Sequence, residues 1–191
     1  QIRIGTGIMR QSTTIELRVM QGELESLDLG ITGSGEITRV TAPGLLSWKL
    51  NGDNETNRSL SIRFNQSQTT TSLIAITTVA TVGDFPVQVE PMRITPRGSD
   101  RHHGSIEVIN DGAVRLNVLS TAGLSRITPE STREKTVQDP TAHIYPEQKF
   151  AFRHSSGEYA LTIQATMIEP DIAATALMLY HLDYDQTRID A

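Results

Sequence analysis

Gly104-Ser-Ile-Glu-Val-Ile-Asn-Asp-Gly-Ala-Val-Arg-Leu-Asn-Val-Leu-Ser120 sets Asn-Asp-Gly between two runs in which apolar and polar residues alternate. This is the strongest short-range signal for a β-hairpin. Side-chain chemistry then selects a register. A three-residue loop, Asn110-Asp111-Gly112, sets Val108 opposite Val114, Ile106 opposite Leu116 and Gly104 opposite Val118. The same register pairs Glu107 with Arg115 and Ser105 with Asn117 on the other face. A two-residue loop, Asp111-Gly112, would oppose Glu107 to Leu116 and Val108 to Arg115, leaving neither face apolar. The longer loop is therefore expected, a type I turn with Gly112 in the left-handed region, where a Cβ would clash. One apolar face per strand implies antiparallel sheet with one side buried.

Similar patterns flank this stretch. Thr13–Met20 and Glu23–Ile31, joined through Gln21-Gly22, form a second expected hairpin. Lys149–His154 and Glu158–Ile168, around Ser155-Ser156-Gly157, form a third. Glu36–Val40, Leu45–Leu50, Arg58–Phe64 and Leu73–Val82 read as further strands. The polar run Asn65–Thr71 reads as a long loop. Val87 and Val89 sit between Pro86 and Pro91, the signature of an edge strand, which Met92–Thr95 would continue. Trp48 shares a face with Leu46 and Leu50, which makes it a core residue or, if exposed, a binding platform. Thr128-Pro129 can start a helix, a short one at most, near 128–135. Asp171–Asp185 fits a helix face through Ile172, Ala176 and Leu179. It fits equally a strand buried on both sides, which the setting favours. The expected fold is all-β: an antiparallel β-sandwich spanning 1–191 as one domain, with an extended, super-sandwich-like arrangement of ten or more strands as its larger variant.

The composition suits this. Only 37% of the 191 residues are hydrophobic, enough when each sheet keeps one wet face, and Thr and Ser make up about a fifth of the chain. The formal charge of −5, without a Lys/Arg cluster to displace counterions from phosphates, argues against nucleic acid. The absence of Cys excludes thiol nucleophiles, disulfides and Cys-ligated zinc. No run approaches the ~20 apolar residues of a membrane span. A start at Gln1, already strand-like, suggests a piece of a longer protein, with a mature secreted chain as the rival.

Chemistry-bearing motifs are sparse. His102 and His103 are adjacent, so on an extended chain they point to opposite faces, a poor chelate. His143, His154 and His181 stand far from one another in sequence. No nucleophile elbow, phosphate loop or dinucleotide loop occurs, and Gly5-Thr6-Gly7 reads as a turn or bulge. No catalytic, metal or cofactor residues are therefore assigned. Asp183 and Asp185 alternate onto one face and are the one carboxylate pair that a hydrolase reading could use. Three Asn-x-Ser/Thr sequons, at Asn54, Asn57 and Asn65, fall in a Thr/Ser-rich stretch where chance produces them. For carbohydrate the candidate platforms are Trp48, Tyr145 and Tyr159, with Tyr180 and Tyr184 behind them, in a chain that is only 5% aromatic.

Several phrases in order carry a resemblance: Thr14-Ile-Glu-Leu-Arg-Val19, Gly22-Glu-Leu-Glu-Ser-Leu-Asp-Leu29, Ile37-Thr-Arg-Val-Thr-Ala-Pro-Gly-Leu-Leu-Ser-Trp-Lys-Leu50, Gly104-Ser-Ile-Glu-Val108, Gly123-Leu-Ser-Arg-Ile127 and Phe150-Ala-Phe-Arg-His154. Together with Tyr159-Ala-Leu-Thr-Ile163 they resemble β-rich extracytoplasmic segments of large envelope proteins of planctomycete-type bacteria. The resemblance implies export and a larger parent, in the periplasm or cell envelope, and assigns no functional residue. The expected function is a non-catalytic structural or interaction module whose partner is a protein or envelope component. A carbohydrate-binding module is the first alternative and a hydrolase-type domain the second.

Overall fold

The structure is a computed structural model that describes residues 1–52, 58–98, 102–129, 147–168, 179–182 and 187–190. The first strands are β1 (Ile2–Ile4), β2 (Ile8–Arg18), β3 (Leu24–Thr32), β4 (Glu36–Thr41), β5 (Leu45–Asn51), β6 (Arg58–Gln68) and β7 (Thr71–Thr81). The shorter β8 (Val87–Val89) and β9 (Arg93–Pro96) follow, then β10 (Gly104–Asn110), β11 (Val114–Ala122) and β12 (Ser125–Ile127). The last are β13 (Lys149–His154), β14 (Ala160–Met167), β15 (Leu179–Leu182) and β16 (Thr187–Asp190). The fold is all-β, with no helix among the described residues, and its sheets pack together as a sandwich. Of the expected helix only Thr128 and Pro129 are described, in no regular element, and 130–135 lie outside the described residues. Leu179–Leu182 is strand, paired antiparallel with β16, while 171–178 and 183–185 lie outside the described residues.

A seven-stranded sheet, ordered β12-β13-β10-β1-β2-β7-β4, forms one layer. It is antiparallel except where β1 lies parallel to β10. Facing it are a four-stranded sheet, β5-β6-β3-β9, and a three-stranded sheet, β11-β14-β8. The four-stranded sheet packs Leu27, Leu29, Ile31, Leu60, Ile62 and Ile94 against Val40, Ile74 and Ile76. The three-stranded sheet packs Val114, Leu116, Leu161 and Ile163 against Ile2, Ile4, Val108 and Phe152. Each fully buried Leu, Ile or Val contributes roughly 1.5–3 kcal/mol. The seven-stranded sheet thus serves two cores. Between them, on the inward side of β2 and β7, lie the buried polar residues Gln11 and Thr78, paired across the strands.

All three expected hairpins are corrected. β10 and β11 do not pair: β10 lies between β1 and β13, and β11 bonds β14 in the facing layer. Val108 and Val114 are both fully buried in one core, but from opposite sheets. Glu107 therefore meets Lys149, at 2.6 Å, rather than Arg115. The same holds for β2 and β3, and for β13 and β14, whose members also belong to different sheets. The chain crosses the sandwich at each of these turns, and again at β4–β5 and β6–β7. Alternation explains the error, because it reports which face of a strand is buried. It is identical whether the next strand lies beside the first or across the core from it.

Side chains hold the crossing open at Asn110-Asp111-Gly112. The Asn110 Nδ2 donates to the Val114 carbonyl at 3.1 Å, and its Oδ1 accepts from the Gln148 backbone N–H at 2.6 Å. Gln148 Oε1 in turn accepts the Leu116 N–H at 2.7 Å. Gly112 has φ of 79°, as the turn chemistry requires. The consecutive strands that do pair antiparallel are β1–β2, β5–β6, β12–β13 and β15–β16.

Two further expectations change. Asn65–Thr71 is not a long loop: β6 runs on to Gln68, which pairs with Leu24, and β7 begins at Thr71. Met92–Thr95 does not continue the Val87–Val89 strand. β8 borders the three-stranded sheet and β9 the four-stranded one. Pro91 between them and Pro96 at the end of β9 remove the donors that a continuous sheet would need.

Candidate binding surface

Of the platform residues singled out from sequence, the two whose side chains are described, Trp48 and Tyr159, are not brought together. Trp48 lies on the edge strand β5 opposite the buried Ile62, hence on the core side of its sheet, and remains 38% exposed. A bulge between Leu45 and Ser47 takes Leu46 out of the alternation, so Trp48 shares its face with Leu45 and Leu50 rather than with Leu46. Tyr159 is half-buried against the other core. Tyr145, Tyr184, Asp183 and Asp185 lie outside the described residues.

Sequence reading missed an aromatic row at the end of β13. The buried His154 ring stacks at 4.6 Å on Tyr159 and meets the edge of His102 at 5.0 Å. His154 Nδ1 faces the Ser156 carbonyl at 2.9 Å, so that nitrogen carries the proton. Gly104 and Gly157 leave room for the rings: a Cβ on Gly104 would sit 2.7 Å from His154 Nε2, and one on Gly157 would sit 3.0 Å from His102 Nδ1. Burial pushes the His102 pKa down, helped by the charges of His154 and His103. Burial raises that of Tyr159, against the pull of Arg93. Arg93 also donates to the Tyr159 carbonyl at 2.9 Å and so ties β9 to the β13–β14 crossing. Among the described residues no group of three His, Asp or Glu is placed to hold a metal. The row is built as a lock between sheets.

The outward side of the four-stranded sheet is a different kind of surface. Inward positions on β3, β6 and β9 include Leu27, Leu29, Ile31, Leu60, Ile62, Phe64 and Ile94, so alternation turns the intervening residues outward. Register arranges these in cross-strand rows: Ser47, Arg63 and Ser26; Lys49, Ser61 and Asp28; Asn51, Ser59, Gly30 and Thr95. Arg97 extends the middle row, its backbone N–H donating to the Asp28 carbonyl at 2.9 Å. All of these are polar or glycine. Asn51 donates to Ser61 Oγ at 3.1 Å, and Ser61 donates to Asp28 Oδ1 at 2.6 Å, a hydrogen-bonded line across three strands. Next to Arg63 lies a polar depression of about 310 Å³ lined by Glu25, Ser26, Asn65 and Ser67 among others.

Comparison with known proteins found no matching family, no matching curated protein and no matching solved structure.

Proposed function

We propose that this chain is a non-catalytic interaction module of a larger extracytoplasmic protein. The observation that carries the reading is the four-stranded sheet's outward face, polar and partly to fully exposed, on a scaffold where polar side chains elsewhere brace crossings between sheets. His154 and Tyr159 brace a crossing between sheets, and Asn110 and Gln148 bridge another. The resemblance to envelope-protein segments supports export. No helix among the described residues is long and apolar enough to cross a membrane, so within them an anchor of that kind is not supplied. Expression of the complete reading frame with a tag, followed by cell fractionation, tests the proposal. The tagged protein should co-sediment with envelope material outside the cytoplasm. Recovery in the cytosol, or turnover by the purified chain of a panel of glycosides and esters, overturns it.

A further inference from the structure

We propose that the outward face of the four-stranded sheet binds an acidic polysaccharide, a polymer of uronate-like sugars. This rests on the reading of the chain as an interaction module and names its partner.

Charge is the first argument. The chain carries −5 overall, yet this face presents Lys49, Arg63 and Arg97 against the one carboxylate of Asp28, with Glu25 at its margin. Lys49, Arg63 and Arg97 are exposed, and none of them is in an ion pair among the described residues. Cations left unpaired on one face of an acidic chain concentrate anions there.

The floor is the second. Between these cations the side chains are short hydroxyls and amides: Ser47, Ser59, Ser61, Ser26, Asn51 and Thr95. Such groups both donate and accept, as sugar hydroxyls do. Gly30 opens the middle of the face. A Cβ there would lie 3.2 Å from Thr95 Oγ1 and 3.5 Å from Arg97 Nε, so the guanidinium rests across the glycine. Strand spacing makes the four strands about 14 Å across, enough for several sugar rings.

The rival polyanions fit less well. The rows contain no aromatic side chain on which a base could stack, as single-stranded nucleic acid requires. They contain no apolar anchor of the sort that concentrates energy in a protein interface.

Affinity electrophoresis of the folded chain tests the proposal, with gels containing polygalacturonate, neutral dextran, polyglutamate or duplex DNA. Polygalacturonate should retard the chain, less so as salt rises, and the other three should not. Each charge-assisted hydrogen bond is worth roughly tenfold. The triple variant Lys49→Ser/Arg63→Ser/Arg97→Ser should therefore weaken retardation by at least about tenfold. Arg39→Ser/Arg115→Ser/Arg153→Ser, which removes as much charge elsewhere on the surface, should leave it unchanged. If the first triple variant does not fold, Arg97→Ser alone, at an exposed turn, is read the same way. Equal retardation by polyglutamate or DNA overturns the proposal, as does equal loss in the control variant. Absence of retardation by polygalacturonate overturns it too, and leaves the co-sedimentation result to stand or fall by itself.

Discussion

At Asn110 a buried amide takes the place of the backbone ladder that a hairpin would have formed. Removing it strands the buried Val114 carbonyl and takes the acceptor from the partly buried Gln148 N–H. Each orphaned buried group costs about 1–3 kcal/mol. Asn110→Ala should therefore destabilise the chain by about 1–3 kcal/mol, chiefly through the Val114 carbonyl, read as a shift of the urea midpoint at constant slope. Gly112→Ala tests the same turn more gently, since a Cβ at positive φ costs roughly 1–2 kcal/mol. Trp48 gives a second reading at this scale. With 38% of its surface exposed on an edge strand, it should be quenched by acrylamide at a rate between those of a buried and a free indole. Full protection would contradict the edge position.

The elements of this fold are defined less by their neighbours in sequence than by the sheet each one enters. Ile62 on β6 and Ile163 on β14 are both fully buried, one in each core. Truncation of either to Ala should cost about 2–5 kcal/mol. Because they share no packing partners, the double variant should lose the sum of the two. The seven-stranded sheet runs through both cores, so a single urea transition is expected for every variant. Two separated transitions would show instead that the cores unfold independently.

For the whole molecule, acid is the condition that should matter most. His102 has its pKa held below the ordinary 6.5 by burial first and then by the neighbouring imidazoles. The unfolded chain therefore takes up a proton before the folded one does. Stability is full above 6.5 and falls as pH drops from there through the folded pKa. Glu107 adds a second acid limb. Burial pushes its carboxyl up, but hydrogen bonds from Lys149 and Gln1, with the Lys149 charge, outweigh that and hold it below 4.5. Its contribution is present above 4.5 and is lost below. Thermal melting from pH 8 to 3 should show both limbs, and His102→Asn should remove the upper one while sparing the lower. An unchanged upper limb in that variant would assign it to another group.

Strand positions and buried faces were legible in the amino-acid order. Arg58–Phe64 is buried at Leu60, Ile62 and Phe64 as its alternation requires, 73–81 and Lys149–His154 lie in strands, Val87–Val89 between prolines is an edge, and Gly112 has the positive φ its turn needs. These are local properties, dictated by period-two burial and backbone sterics. Strand partnership was not legible: Val108 and Val114 look like cross-strand neighbours in sequence and meet instead across a core. The candidate surface was hidden for a related reason. Lys49, Arg63 and Arg97 come from separate stretches with no basic run between them, and only the pairing of β5, β6, β3 and β9 brings them onto one face. Alternation tells a strand which side is dry. Which strands lie beside it is decided by crossings that depend on a few buried amides and on where prolines interrupt the ladder.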